Sequence, residues 1–245
     1  MQLWYQRLGF YSNPFSIKPA QFDHMLFGGE GALKDVLDRI NTGNIIFIHG
    51  PYGTGKTTML KRIISEFSGS KRLVYYSCNS TDRRINIEKL LTGRYGLVGK
   101  LLGIKPTGMV LLLDEVQDLS GEDEHEVLKY YREGYLFSVV LVSKTSEARI
   151  SDEMKKIIGY NFFTTSPLTD QDAIRMIRRR IGMLPLLSDE TIRHIARLSG
   201  YNPRLVLENC EDVCRMAIEW EMRHVSPDDA GHILRHKSGA EASQP

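Results

Sequence analysis

Residues 50–57 read Gly-Pro-Tyr-Gly-Thr-Gly-Lys-Thr and fit the spacing GxxxxGK[ST], and their flanks narrow what this chain can fold into. Immediately before them lies NIIFIHG (44–50), a short continuous apolar run ending in glycine. Such a run suits a strand buried on both faces of a parallel sheet. Immediately after comes TTMLKRIISEF (57–67), with Met59, Leu60, Ile63, Ile64 and Phe67 predicted on one helical face. A strand, a glycine-rich turn and a helix in this order make a phosphate-binding loop. The glycines let backbone N–H groups turn inward, and the helix N-terminus adds partial positive charge. Gly50, Pro51, Tyr52, Gly53, Thr54, Gly55, Lys56, Thr57 and Thr58 are therefore candidate nucleotide-binding residues. Lys56 would reach the β- and γ-phosphates, and Thr57 would hold Mg²⁺.

Further strand patterns follow at RLVYYSC (72–78), MVLLLDE (109–115) and SVVLVSK (138–144), with a weaker one at NFFTTS (161–166). Helical patterns lie between them, including 30–42 ahead of the first strand, with Leu33, Val36, Leu37 and Ile40 on one face. This alternation predicts an α/β fold with a parallel sheet and right-handed crossovers. In such sheets ligands bind at the carboxyl ends of the strands. The apolar run 110–113 delivers Asp114 and Glu115 to that end. Asp114 is a candidate Mg²⁺ ligand, and Glu115 a candidate base for a water attacking the γ-phosphate. Together these residues predict ATP hydrolysis with Mg²⁺.

After Ser166-Pro167 only helical patterns remain, at 170–182, 188–199, 203–222 and from Ser226-Pro227 onward. The chain thus divides into an α/β domain over 1–166, including an N-terminal segment 1–29, a small helical domain over 167–237, and a disordered tail 238–245. With 32 Lys and Arg against 30 Asp and Glu, no global basic charge advertises nucleic acid, so DNA contact would have to come from a local patch. Three cysteines without metal-ligand spacing fit a reducing, cytoplasmic setting. The N-terminus has no apolar core of signal-peptide length, and no run approaches the ~18 apolar residues of a membrane helix. Secretion and membrane spanning are not expected.

Four blocks in order resemble the AAA+ ATPases, in particular the branch holding ExeA-type secretion ATPases, TniB/TnsC-type transposition ATPases and origin-recognition initiators. They are LGFYSNPFSIKP (8–19), IIFIHGPYGTGKTTMLKRI (45–63), VLLLDEVQDL (110–119) and SGYNPRLVLENCEDVCRMA (199–217). The resemblance implies a P-loop sheet of order 5-1-4-3-2 followed by an all-α lid. It also implies that Asn13, Pro14 and Phe15 flank the adenine and that Arg204 is the sensor 2 residue at the γ-phosphate. Arg204 follows Asn202-Pro203 at a predicted helix start, which suits that role. A homo-oligomer coupled to DNA is the leading expectation, with a second protein that activates hydrolysis as a further candidate partner. The alternatives are an ATPase partner of a membrane or cell-surface assembly, as in the ExeA type, and a low-turnover nucleotide switch.

Two positions depart from the family pattern. Sensor 1 is usually small and polar, yet the best-matching position here is Lys144, with Ser143 and Thr145 as neighbours. Lys144 could place a second cation at the γ-phosphate or point to solvent, and Ser143 or Thr145 could serve as sensor 1 instead. The arginine finger is expected near Asp152–Ile157, where Lys156 is the nearest match, and Lys156 cannot make the bidentate fork of an arginine. Arg149 and Arg132 are the other finger candidates. Weaker signals are read blandly. Arg83, Arg84, Arg94, Tyr95, Lys100 and Lys105 are read as a solvated surface rather than a DNA-facing loop. Arg175, Arg178 and Arg179 form a polar helix face, Cys210 and Cys214 are buried small hydrophobes, and His49 is structural. Glu122, Asp123, Glu124 and Glu126 are read as a solvated loop and helix start.

Overall fold

A computed structural model describes residues 3–17, 26–70, 72–79, 84–93, 106–146 and 150–241. The chain forms two compact units: one of Gly29–Tyr52 and Lys56–Thr165, the other of Met1–Gly28, Gly53–Gly55 and Ser166–Pro245.

The first unit is built on five strands, β1 Ile45–His49, β2 Leu73–Ser77, β3 Met109–Asp114, β4 Leu136–Ser143 and β5 Phe162–Thr164. Their order is β2-β3-β4-β1-β5 and every pairing is parallel. This is the expected order, 5-1-4-3-2, read from the other edge. Burial follows position in the sheet. The apolar runs of β1, β3 and β4 fill the three central places and are almost wholly buried, while β5 on one edge is largely open. Packed on the sheet are α-helices Glu30–Asn41 (α2) and Lys56–Glu66 (α3), a short helix Ile87–Thr92 (α4), and helices Gly121–Arg132 (α5) and Asp152–Ile158 (α6). α3 buries Met59, Leu60 and Ile63, each worth roughly 1.5–3 kcal/mol against exposure. Ile64, expected inward, is 36% exposed, because it lies one residue round the helix from the Leu60–Ile63 stripe.

The expectation of a solvated acidic cluster at 122–126 is corrected here. Asp123 and Glu124 are buried. Asp123 accepts the backbone N–H of Ile85 (2.9 Å) and the Ser120 hydroxyl (2.6 Å), so it ties the approach to α4 onto α5. Glu124 accepts the Ser151 N–H and hydroxyl at the start of α6. Asp123 thereby serves the backbone N–H of the buried Ile85, which would otherwise lack a partner.

The helical unit contains a short N-terminal turn of helix, Trp4–Arg7 (α1), followed by Asp170–Ile181 (α7), Asp189–Leu198 (α8), Pro203–Glu219 (α9) and Pro227–Glu241 (α10). Its core includes Ile177, Ile192, Ile195, Val206, Cys210 and Cys214, the two cysteines being free and fully buried. Burial, with the Glu211 charge adding to it, pushes the Cys214 thiol up to about 12, so it stays a neutral, small apolar group. Two boundaries differ from the sequence reading. α10 continues to Glu241, past residue 237. Residues 1–28 group with the helices rather than the sheet. The reason is apolar: Phe15 is buried in the helical core, with Trp4 stacked on it at 6.2 Å between ring centroids. Among the described residues, no helix is long and apolar enough to cross a membrane.

Candidate active site

β1 ends at His49, and α3 begins at Lys56, so the loop between them has to reverse quickly. It does so with Gly53 at φ +84° and Gly55 at φ +92°. Side chains other than glycine are disfavoured there by about 1–2 kcal/mol. The first-turn N–H groups of α3 have no intrahelical partners and face an anion-binding position by construction. Lys56 stands at the head of this helix, and its Nζ donates to the carbonyls of Gly50 (2.6 Å) and Pro51 (2.7 Å). Burial lowers the Lys56 pKa, while the charges of Glu115 and Asp114 oppose that shift. Thr57 is exposed and Thr58 half-buried in the same first turn, Thr54 is buried, and Pro51 and Tyr52 are exposed.

β3 carries Asp114 to the carboxyl edge of the sheet. Its Oδ1 accepts the Glu115 N–H (2.9 Å), and its Oδ2 accepts the Tyr75 hydroxyl from β2 (3.2 Å). Burial raises the Asp114 pKa, and the neighbouring Glu115 charge adds to this against its hydrogen bonds and Lys56. A carboxylate raised in this way gains from an adjacent cation, which suits a Mg²⁺ ligand. Glu115 itself has φ +59°, a left-handed backbone for a non-glycine residue. Strain of this kind, of order 1–3 kcal/mol, collects at functional sites. The chain then makes a tight turn over Val116–Asp118.

The Glu115 carboxylate is held from two sides. Its Oε2 accepts the Gln117 amide at 2.5 Å and pairs with Lys144 Nζ at 2.9 Å. Burial tends to raise the Glu115 pKa, but Gln117, Lys144 and Lys56 outweigh it and hold the group below the ordinary glutamate value. Lys144 follows β4, whose last residue, Ser143, is buried. Ser143 Oγ and the Lys144 N–H make long contacts to Gln117 Oε1, at 3.5 and 3.4 Å, and Ser143 Oγ accepts the Thr145 N–H at 3.1 Å. His49, at the end of β1, bonds Thr164 of β5 at 2.9 Å. The carboxyl ends of β1, β3 and β4 thus bring Lys56, Asp114, Glu115 and Lys144 together.

The remaining candidates stand on other elements. In the helical unit, Asn13 Oδ1 accepts the Phe15 N–H at 2.9 Å, and Pro14 and Phe15 are buried. Arg180 holds this segment, donating to the carbonyls of Pro14 (3.0 Å) and Ser16 (2.9 Å), and burial lowers its pKa to about 10. Arg204 opens α9 behind the N-cap Asn202 and pairs with Glu208 at 2.8 Å. Of the finger candidates, Lys156 is exposed, Arg132 pairs with Glu153, and Arg149 lies outside the described residues. Arg83, Arg94, Tyr95, Lys100 and Lys105 also lie outside them, and Arg84 pairs with Glu122. Arg175 and Arg178 bind Asp172 and Asp189, both at 2.6 Å. Sequence reasoning missed three residues, Tyr75, Gln117 and Arg180. Gln117 stood in the quoted acidic-strand block, whereas nothing local marked the other two.

A family profile described as an AAA domain matches residues 42–165. No curated protein sequence is significantly similar to the chain. Among solved structures, the chain is similar to a chain of Drosophila ORC bound to DNA, with TM-score 0.66 and 17% identity, over 90% of this chain and 63% of that one. It is similar to the Aeropyrum pernix ORC1 protein in complex with DNA, with TM-score 0.65 and 14% identity, over 91% and 69%. It also resembles the Thermotoga maritima RuvB Holliday junction branch migration motor, with TM-score 0.58 and 17% identity, over 84% and 69%. At these identities the likeness concerns the fold, and the chain spans less than two thirds of the fly protein's chain.

Proposed function

The chain belongs to the AAA-domain family, and from that membership we propose that it binds Mg²⁺–ATP in the loop 50–57 and hydrolyses it to ADP and phosphate. The observation that carries the proposal is the meeting of Lys56 with Asp114 and Glu115 at one end of the sheet, where both carboxylates act on the lysine's charge. Lys56 leaves the carbonyls of Gly50 and Pro51 for the β- and γ-phosphate oxygens, which are stronger acceptors. Thr57 and Asp114 would hold the metal. Mg²⁺, when bound, neutralises charge developing on the phosphate oxygens. Glu115 orients the attacking water and takes its proton. For Arg204 and for Asn13, Pro14 and Phe15 we keep the roles the resemblance implies, at the γ-phosphate and the adenine.

We further propose an oligomer in the cytoplasm, coupled to DNA. Its support is the shared fold with ORC structures bound to DNA and with a Holliday junction branch migration motor. A partner that stimulates hydrolysis fits the absence of an arginine at the matching finger position, Lys156. A second reading, a nucleotide switch with little turnover, is favoured by one observation, the ion pair on Glu115.

The direct test is equilibrium binding of ATP with Mg²⁺ to the wild-type chain and to Lys56→Ala. The expected result is binding by the wild type and a loss of at least roughly tenfold in the variant. Equal binding by both, or none by the wild type, overturns the proposal.

A further inference from the structure

Two groups converge on one oxygen of the Glu115 side chain. Glu115 Oε2 is the acceptor both for the Gln117 amide (2.5 Å) and for the Lys144 ammonium (2.9 Å). The Lys144 side chain is 43% exposed and that of Glu115 is 19% exposed. The ammonium is therefore held by the carboxylate, and the carboxylate by the ammonium. Gln117 sits on the tight turn after β3 and reaches the end of β4 through its other amide atom, so it links the two strand ends that carry the pair.

We propose that Lys144 is a positioning residue that restrains Glu115 in a resting arrangement, so that the ion pair limits ATP hydrolysis until it opens. The inference rests on the reading of Glu115 as the base. A carboxylate whose oxygen already accepts from an ammonium and an amide is a weak acceptor for a further proton donor, and a charge-assisted bond of this kind is about twice as strong as a neutral one. A water approaching Glu115 competes with a tethered cation that need not diffuse in. Opening the pair is feasible because Lys144 is exposed on a flexible four-carbon stem. Any group that offers this ammonium a better anion, whether a γ-phosphate oxygen or an acidic side chain of a partner, frees the glutamate. The lysine at a position where a small polar residue is usual thus acts as a restraint on turnover rather than as a second cation fixed at the phosphate.

Steady-state turnover of Mg²⁺–ATP by the whole chain tests this, with ATP binding measured separately at equilibrium. Lys144→Met keeps the length of the stem and removes the charge. The expected result is a kcat raised roughly three- to tenfold with KM and ATP affinity little changed. Lys144→Arg, which can pair again with the glutamate, should give a smaller gain. In the double variant Lys144→Met/Glu115→Gln, the gain should vanish. A kcat that falls or stays level in Lys144→Met, a loss of ATP affinity there, or a gain that survives Glu115→Gln would overturn the restraint. Failure of the wild type to bind ATP would instead overturn the ATPase reading beneath it.

Discussion

Glu115 keeps a left-handed backbone without a glycine's freedom, and its side chain is gripped by Gln117 and Lys144. Lys56, Thr57, Asp114 and Glu115 stand where motif spacing predicts them, at a strand end or a helix start. Tyr75 was not legible in the sequence. It is one of two tyrosines on β2, and its hydroxyl partner Asp114 lies 39 residues further along, so only the β2–β3 pairing brings them together. Its hydrogen bond orients the Asp114 carboxylate, and such outer partners typically matter 10–100-fold for metal affinity or activity. Tyr75→Phe should therefore raise the Mg²⁺ concentration needed for half-maximal turnover by roughly tenfold, with ATP binding in the absence of turnover much less affected. A Mg²⁺ titration of hydrolysis checks this.

The elements were legible wherever apolar period and capping agreed. The central strands are unbroken apolar runs, and α9 starts where Asn202 caps and Pro203 fills the first turn. The acidic residues of α5 were misread because an amphipathic pattern shows which face is polar but not which carboxylate meets a buried N–H. Charge counting likewise missed Asp172, which is buried at the head of α7. There it accepts the Thr169 hydroxyl (2.6 Å) and N–H (3.1 Å) in a reciprocal cap and binds Arg175 (2.6 Å). Burial tends to raise its pKa, but the two bonds from Thr169 and the Arg175 charge leave it below the ordinary aspartate value. A depressed folded pKa contributes stability that is present above the unfolded value, about 3.9, and is lost as pH falls through the lower folded value. Asp172→Asn should thus destabilise the helical unit by about 1 kcal/mol at pH 7, and the gap to wild type should close as the pH falls below the unfolded value. Urea unfolding on either side of that value reads the difference.

At the scale of the whole molecule, the described residues group into a sheet unit and a helical unit, and nothing in the sequence marks residues 1–28 as part of the latter. Their attachment depends on Phe15 entering the helical core and on Arg180 binding two backbone carbonyls more than 160 residues earlier in the chain. Neither contact leaves a local signature, since Arg180 is the last of three consecutive arginines that pattern alone makes equivalent. The proposed coupling to DNA would have to come from a local patch, because the chain is nearly neutral and offers no overall attraction to phosphate. The most direct measurement is ATP turnover by the purified chain, alone and with duplex or single-stranded DNA, beside Glu115→Gln. The account predicts a low basal rate that DNA raises and that Glu115→Gln abolishes. Turnover that persists in Glu115→Gln, or that stays level when DNA is added, would contradict it.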